Sequence, residues 1–106
     1  MKRGDVYWAD LGPPAGRRPV LVLTRNAAIP VLSGIVVAPI TTTIRDIASE
    51  VRIGKKEGLN ALSVASCDNI LTVPKEWFDP RRSGSLAPKR LGELDEALTF
   101  ALGIVA

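Results

Sequence analysis

Arg17-Arg18-Pro19-Val20-Leu21-Val22-Leu23-Thr24 opens on two cations and a proline and then carries no polar residue until Thr24. An unbroken apolar run rich in Val, after a Pro placed where a missing amide costs a sheet least, predicts a buried strand from Arg18 to Thr24. Upstream, Val6 and Trp8 alternate with Asp5, Tyr7 and Ala9, and Leu11-Gly12-Pro13-Pro14 stops that first strand with turn residues. Downstream, Gly34 to Ile40 is a third run, dense in β-branched residues, and Glu50 to Ile53 alternates charged with apolar. Ser63 to Cys67 and Asn69 to Val73 bring the expected total to about six short strands. After Pro74 comes a polar interval containing Trp77, Phe78, Arg81 and Arg82, which carries no periodicity. From Pro88 the period changes, with Leu91, Leu94, Leu98, Ala101 and Leu102 at three- and four-residue spacing, predicting an amphipathic helix to Ile104. Gly103 lies near its end, and Gly92 inside it costs roughly 1 kcal/mol relative to Ala. Short strands, tight turns and one closing helix predict a mainly β chain with a C-terminal α-helix, folded as a small, strongly bent SH3-like barrel. A βαβ fold would need helices between its strands.

The chain of 106 residues, 46% hydrophobic, has room for a single domain spanning residues 1–106, with no internal repeat or linker. A domain this small buries a modest fraction of its surface, so a homodimer is expected. The longest apolar stretches fall far short of the roughly 18 to 20 residues of a membrane span, and no signal-like apolar region follows Met1-Lys2-Arg3-Gly4-Asp5. No membrane association and a cytoplasmic location are therefore expected. Cys67 is the one cysteine and there is no histidine, so an intramolecular disulfide and a Cys/His zinc site are excluded. Cys67 reads as a small buried apolar residue.

The net charge is only +3, but its distribution is uneven. From Leu11 to Arg45 there is no Asp or Glu, while Arg17, Arg18, Arg25 and Arg45 all fall there, and Glu93, Asp95 and Glu96 collect near the C-terminus. Such asymmetry fits either a positive face that follows a phosphate backbone or an ordinary solvated surface. Without His, the usual acid/base pair of a metal-independent nuclease is missing and Cys67 lacks an activating partner. The carboxylates show no two-metal spacing and no phosphate-binding glycine loop is present, so neither a metal nor another cofactor is expected. Chemistry here would have to come from orientation and electrostatics. The candidates sit at strand ends: Arg17 and Arg18 where a loop enters the second strand, and Thr41-Thr42-Thr43 with Arg45 just past the third. Hydroxyls and guanidinium N–H groups brought together grip a phosphate, and more tightly as it becomes a pentacoordinate dianion. A run of Thr after a strand also serves as a plain turn. Asn69 suits either a base edge or an Asx turn. Arg17, Arg25 and Arg45 suit phosphates or solvent. Tyr7, Trp8 and Trp77 could stack on bases, although strand spacing assigns Trp8 to the core.

Five segments in order carry a resemblance that runs nearly end to end: Arg3-Gly4-Asp5-Val6-Tyr7-Trp8-Ala9-Asp10-Leu11, Arg18-Pro19-Val20-Leu21-Val22-Leu23, Val36-Val37-Ala38-Pro39-Ile40-Thr41, Asp68-Asn69-Ile70 and Leu94-Asp95-Glu96-Ala97-Leu98. With them the chain resembles the MazF/PemK-type toxins of type II toxin–antitoxin pairs. The resemblance implies a dimeric SH3-like barrel of the MazF/PemK/CcdB type. It also implies an mRNA interferase, an endoribonuclease that cuts single-stranded RNA at short sequences without metal, leaving a 2′,3′-cyclic phosphate and a 5′-hydroxyl. The family's essential Arg precedes the Pro of Arg-Pro-Val, which is Arg18 here, and its essential Thr ends the third strand, which is Thr41. On this reading the nucleophile is the RNA's own 2′-hydroxyl. Arg18 neutralises the non-bridging oxygens and assists proton transfer, while Thr41 fixes the scissile phosphate. Arg17, Thr42, Thr43, Arg45 and Asn69 become RNA contacts. The implied partner is an acidic, MazE-like antitoxin whose partly disordered tail folds across the basic groove. One departure stands out: only Gly12 to Arg17 fills a loop that many relatives have longer and with an acidic residue, so the cleavage sequence does not carry over. Two rivals share the barrel. A non-catalytic gyrase poison depends on a C-terminal Trp-Gly-Ile, and this chain ends Ala101-Leu102-Gly103-Ile104-Val105-Ala106. A passive RNA-binding barrel would use the arginines for affinity alone.

Overall fold

Three strands meet on one, the β-branched run that begins at Gly34. In the computed structural model, which describes residues 1–104, the elements follow the order β1 (Asp5–Asp10), β2 (Arg17–Val22), β3 (Gly34–Thr41), β4 (Glu50–Ile53), β5 (Ser63–Ser66), β6 (Leu71–Pro74), β7 (Phe78–Ser85) and α1 (Leu91–Leu102). All ladders are antiparallel. One edge of β3 takes β2, in the register Val20↔Pro39 to Val22↔Val37. Its other edge is divided: β6 lies along Gly34 to Val37, and β5 pairs with Ile40 and Thr41. The sheet order is β4-β5-β3-β2-β1-β7 with β6 on β3 as a side branch. It is a bent, SH3-like barrel that the strands do not close.

Changing partners part-way along β3 bends the sheet, and both of its faces become core. Ala38 and Ile40 join Val6, Leu21, Val51, Ile53 and Ala65 in a first core, which α1 covers with Leu94 and Ala97. Ile35 and Val37 join Tyr7, Ala9, Val20, Val22 and Val73 in a second, where Tyr7 meets Phe78 edge-on at 6.1 Å. The double burial explains why β2 is continuously apolar: Val20, Leu21 and Val22 are all fully buried, each on the order of 1.5–3 kcal/mol.

The strand count differs from the expected six, because the polar interval after Pro74 forms β7. None of its residues is buried, so no alternation marked it. β7 is an edge strand pairing with β1 through two register shifts, and Pro80, Arg81 and Arg82 are residues that an edge tolerates and that discourage further pairing. Buried Asp5 ties it to the N-terminus, accepting the Lys2 N–H and Nζ, each at 2.8 Å, with the Arg82 guanidinium at 3.7 Å. Smaller differences occur at strand ends. β2 starts at Arg17 and stops at Val22. Residues 67–69 form a 3-10 turn, so the strand expected from Asn69 begins at Leu71. Pro88 opens a separate 3-10 turn before α1, and the helix ends at Leu102 rather than Ile104. Gly103, at φ 67°, stops it, with the Ile104 N–H bonded to the Thr99 carbonyl at 3.0 Å, a C-terminal motif that favours glycine.

The gap between β4 and β7 is filled by the 3-10 turn at Lys55–Glu57, backbone against backbone. A Cβ on Gly84 would collide with the Glu57 carbonyl, and one on Gly58, itself at φ +91°, with the Ser83 carbonyl. The buried Glu57 carboxylate accepts the Gly54 N–H at 2.7 Å and pairs with Arg90 at 3.4 Å, fixing the turn against the start of α1. Gly84→Ala is expected to cost about 1–3 kcal/mol as an overpacked contact. Gly92→Ala, on the exposed helix face with nothing near its Cβ, is expected to gain roughly 0.5–1 kcal/mol. Urea midpoints moving in opposite directions at an unchanged slope would show both.

Candidate functional site

Register places the two expected residues together. The β2–β3 ladder ends at Val20↔Pro39, with Arg18 two residues beyond it on β2 and Thr41 two residues beyond it on β3. Alternation then puts both on the face that carries Val20 and Val37. Beyond Pro19 and Pro39, which have no N–H to donate, the ladder no longer holds the strands and a mouth opens between them. Arg18 and Thr41 line two cavities at that mouth. One, of about 480 Å3, is shared with Leu11, Pro39, Thr43, Arg45, Glu50, Ser66, Asn69 and Leu71. The other, of about 420 Å3, is shared with Trp8, Arg17, Ile40, Thr42, Leu59, Asn60 and Ser63. The pair therefore stands on a common rim, with a cavity to either side.

The neighbouring arginines are in different electrostatic states. The Arg17 guanidinium donates to Asp79 Oδ2 at 3.0 Å and lies 5.4 Å from the centre of the Trp8 ring. The Arg81 N–H, and after it the Arg17 guanidinium, hold the Asp79 carboxyl below the usual aspartate range. Arg18, by contrast, pairs with no carboxylate among the described residues, so its charge is available to an incoming anion. Thr41 Oγ1 accepts the Thr43 N–H at 3.1 Å. That bond fixes the oxygen and leaves the hydroxyl proton free to donate into the mouth.

The remaining expected residues divide between the cavities. Thr43, Arg45 and Asn69 line the first, Arg17 and Thr42 the second. Arg25 lines neither. Asn69 ends a 3-10 turn, where its amide donates to Ser66 Oγ at 2.8 Å. The Glu50 carboxylate accepts the N–H groups of Arg45 and Asp46 at 3.1 and 2.9 Å, holding the loop after Thr43 against β4. Trp8 departs from its expected place in the core. It packs against the first core but is only partly buried, and it forms a wall of the second cavity. Tyr7 is buried in the second core and Trp77 lies outside both cavities. The roles of Glu50, Asn60, Ser66 and Asp79 had no local signal, since each depends on a partner distant in sequence or on the loop it falls in.

Burial, and then the nearby Asp68, push the Cys67 thiol up to about 11, so it stays protonated near neutrality and is no nucleophile. Among the described residues no three His, Cys, Asp or Glu side chains gather as metal ligands, and no helix is long and apolar enough to cross a membrane. What the mouth offers is a free guanidinium beside an anchored hydroxyl, a pair suited to the oxygens of a phosphodiester.

Residues 2–102 match the family described as PemK-like, MazF-like toxin of type II toxin-antitoxin system. Endoribonuclease MazF3 of Mycobacterium tuberculosis is 54% identical over 57 residues, 54% of this chain and 55% of that protein, so the match spans about half the length of that relative. Probable endoribonuclease MazF5 of the same organism is 40% identical over 107 residues, covering 94% of this chain and 91% of the relative. Among solved structures, the Mycobacterium tuberculosis toxin MazF-mt6 superposes with a TM-score of 0.88 at 39% identity, covering 96% of this chain and 99% of that one. An endoribonuclease in complex with its cognate antitoxin, from a mycobacterial species, superposes with a TM-score of 0.86 at 32% identity, covering 100% and 98%.

The Asp79 tether has a pH signature. Its folded carboxyl is depressed, so the bond to Arg17 survives through the ordinary aspartate range near ~3.9 and is lost only as the pH falls through the lower value. In Trp77→Phe protein, where Trp8 alone emits, the fluorescence step on acidification is expected below that range while far-UV circular dichroism stays constant. Asp79→Asn is expected to remove the step.

Proposed function

The chain belongs to the PemK-like, MazF-like toxin family of type II toxin–antitoxin systems, and we propose that it is the family's metal-independent endoribonuclease, cutting single-stranded RNA through the RNA's own 2′-hydroxyl. The observation that carries this reading is the shared rim: an uncommitted guanidinium and an anchored hydroxyl across one strand mouth, with room on both sides for a chain to pass. The 2′-oxygen attacks the adjacent phosphorus and gives up its proton, and the bond from phosphorus to the 5′-oxygen breaks. The leaving oxygen takes a proton, giving a 2′,3′-cyclic phosphate and a 5′-hydroxyl. Between these states the phosphorane carries an extra negative charge on its non-bridging oxygens. Arg18 meets that charge with two N–H donors and assists proton transfer, although a guanidinium holds its own protons tightly. Thr41 donates its hydroxyl to one oxygen and fixes the phosphate. Donors set in place before the charge develops need no reorganisation, so they favour the transition state over the bound substrate.

Arg17, Thr42, Thr43, Arg45 and Asn69 contact the rest of the RNA. The partner is an acidic antitoxin whose tail crosses the same basic mouth and excludes RNA; the mycobacterial endoribonuclease that superposes on this chain is itself bound to its cognate antitoxin. Phe100, Leu102 and Ile104 stand exposed at the end of α1 and suit the buried surface of a homodimer. The site of action is the cytoplasm, where RNA is found.

Incubation of the protein with a long RNA in EDTA is expected to give discrete cuts, separating a nuclease from a passive binder. Arg18→Ala and Thr41→Ala are each expected to slow cutting by about 10²–10³, the typical loss on removing one such donor. Thr41→Ser should retain most activity because the donor remains. Near-normal rates in both alanine variants would remove the site.

A further inference from the structure

The two cavities on the shared rim are chemically unlike. The first holds no aromatic side chain, whereas the second has the Trp8 ring as a wall with the Arg17 guanidinium above it. The surroundings of Arg17 argue against its use as a phosphate contact. Its charge is already answered by Asp79 at 3.0 Å, and a phosphate brought to it would also meet that carboxylate. A guanidinium that already holds a carboxylate at its edge and lies over an indole has fewer free N–H donors for an anion while keeping a planar, polarisable surface. Bases stack on such planes and on aromatic rings.

The polar groups of the second cavity point the same way. Ser63 Oγ is turned back onto the Ala61 carbonyl at 3.0 Å and is buried. Asn60 is exposed, and its side-chain amide makes no hydrogen bond among the described residues. An unengaged amide presents a donor and an acceptor side by side, the pattern that complements the edge of a nucleobase. Leu59, nearly buried, anchors the loop beside it. A cavity of about 420 Å3 exceeds the space a single base requires.

We infer that the second cavity is a nucleobase cup: one base beside the cleaved bond stacks on the Arg17–Trp8 pair while Asn60 reads its edge. The reaction at Arg18 and Thr41 rests on the nuclease proposed above, and so does the position of the base relative to the cut. The stacking itself does not. Asp79 is then a positioning residue that holds Arg17 in place before RNA arrives, so less freedom is lost on binding.

The test uses two readouts. In Trp77→Phe protein, a single-stranded oligoribonucleotide made uncleavable by 2′-O-methyl groups is titrated while binding is followed by its anisotropy and stacking by Trp8 fluorescence. Saturable quenching that tracks binding is expected, and weaker binding in Asn60→Ala. Separately, cut sites are mapped on a randomised RNA for the wild-type chain and Asn60→Ala. The variant is expected to lose roughly tenfold discrimination at one position beside the cut, as for one lost base-edge contact, with preferences elsewhere unchanged. RNA that binds without quenching Trp8 overturns the cup, and so does a uniform loss at every position, which would return these residues to the phosphate backbone. Quenching without any cutting would sink the nuclease and keep the cup; cutting without quenching would do the reverse. Absence of binding together with absence of cutting ends both.

Discussion

The divided edge of β3 is the constraint from which the rest follows. A strand whose edge is taken by β6 along Gly34 to Val37 and by β5 at Ile40 and Thr41 belongs to two halves of the sheet at once, and the sheet turns between them. Bending lets both faces of a single sheet bury apolar side chains. It also fixes where the ladder to β2 must fail. Pro19 and Pro39 have no amide to continue it, so the strands part at the positions where Arg18 and Thr41 stand. The mouth is thus a consequence of the bend, placed at a strand end by the same residues that make the core.

Electrostatics then separates two arginines that sequence cannot tell apart. Arg17 and Arg18 are neighbours on one strand, and alternation sends them to opposite faces. On one face Asp79 and Trp8 take up the charge of Arg17; on the other no carboxylate reaches Arg18 among the described residues. The difference is made by β7, which carries Asp79 and reaches the mouth only because β1 holds it there. An edge strand without a fully buried residue adds only Phe78 to the packing of the core, yet it decides which guanidinium is left without a carboxylate partner among the described residues. The tight backbone contact between Gly58 and Gly84 has the same character. It spans the opening that the strands leave, and it permits no side chain at either position.

Much of this could be read along the chain because burial writes itself into composition. The unbroken Val-Leu run at Val20–Leu23, the β-branched run from Gly34 and the leucine spacing from Leu91 each mark an element whose side chains must leave water. The same logic failed at β7. An edge strand with no buried residue leaves no periodic trace, and its pairing is dictated by β1 rather than by its own residues. Asn69 was misplaced by a similar cause, since a 3-10 turn between short strands differs from a strand start only in backbone angles. Trp8 looked like core because strand spacing gives a side chain's face but not whether the barrel is closed over it.

What the sequence determined alone was the β-rich fold with its closing helix, the absence of His and of a disulfide, and the positions of the cations at strand ends. These are properties of local composition and period. Tertiary structure decided that Arg18 and Thr41 line the same two cavities, that Arg17 is committed to Asp79 and Trp8, and that the two cavities differ. Each of these depends on a register or a contact between residues far apart in the chain, and such pairings carry no energy until the whole sheet has bent into place.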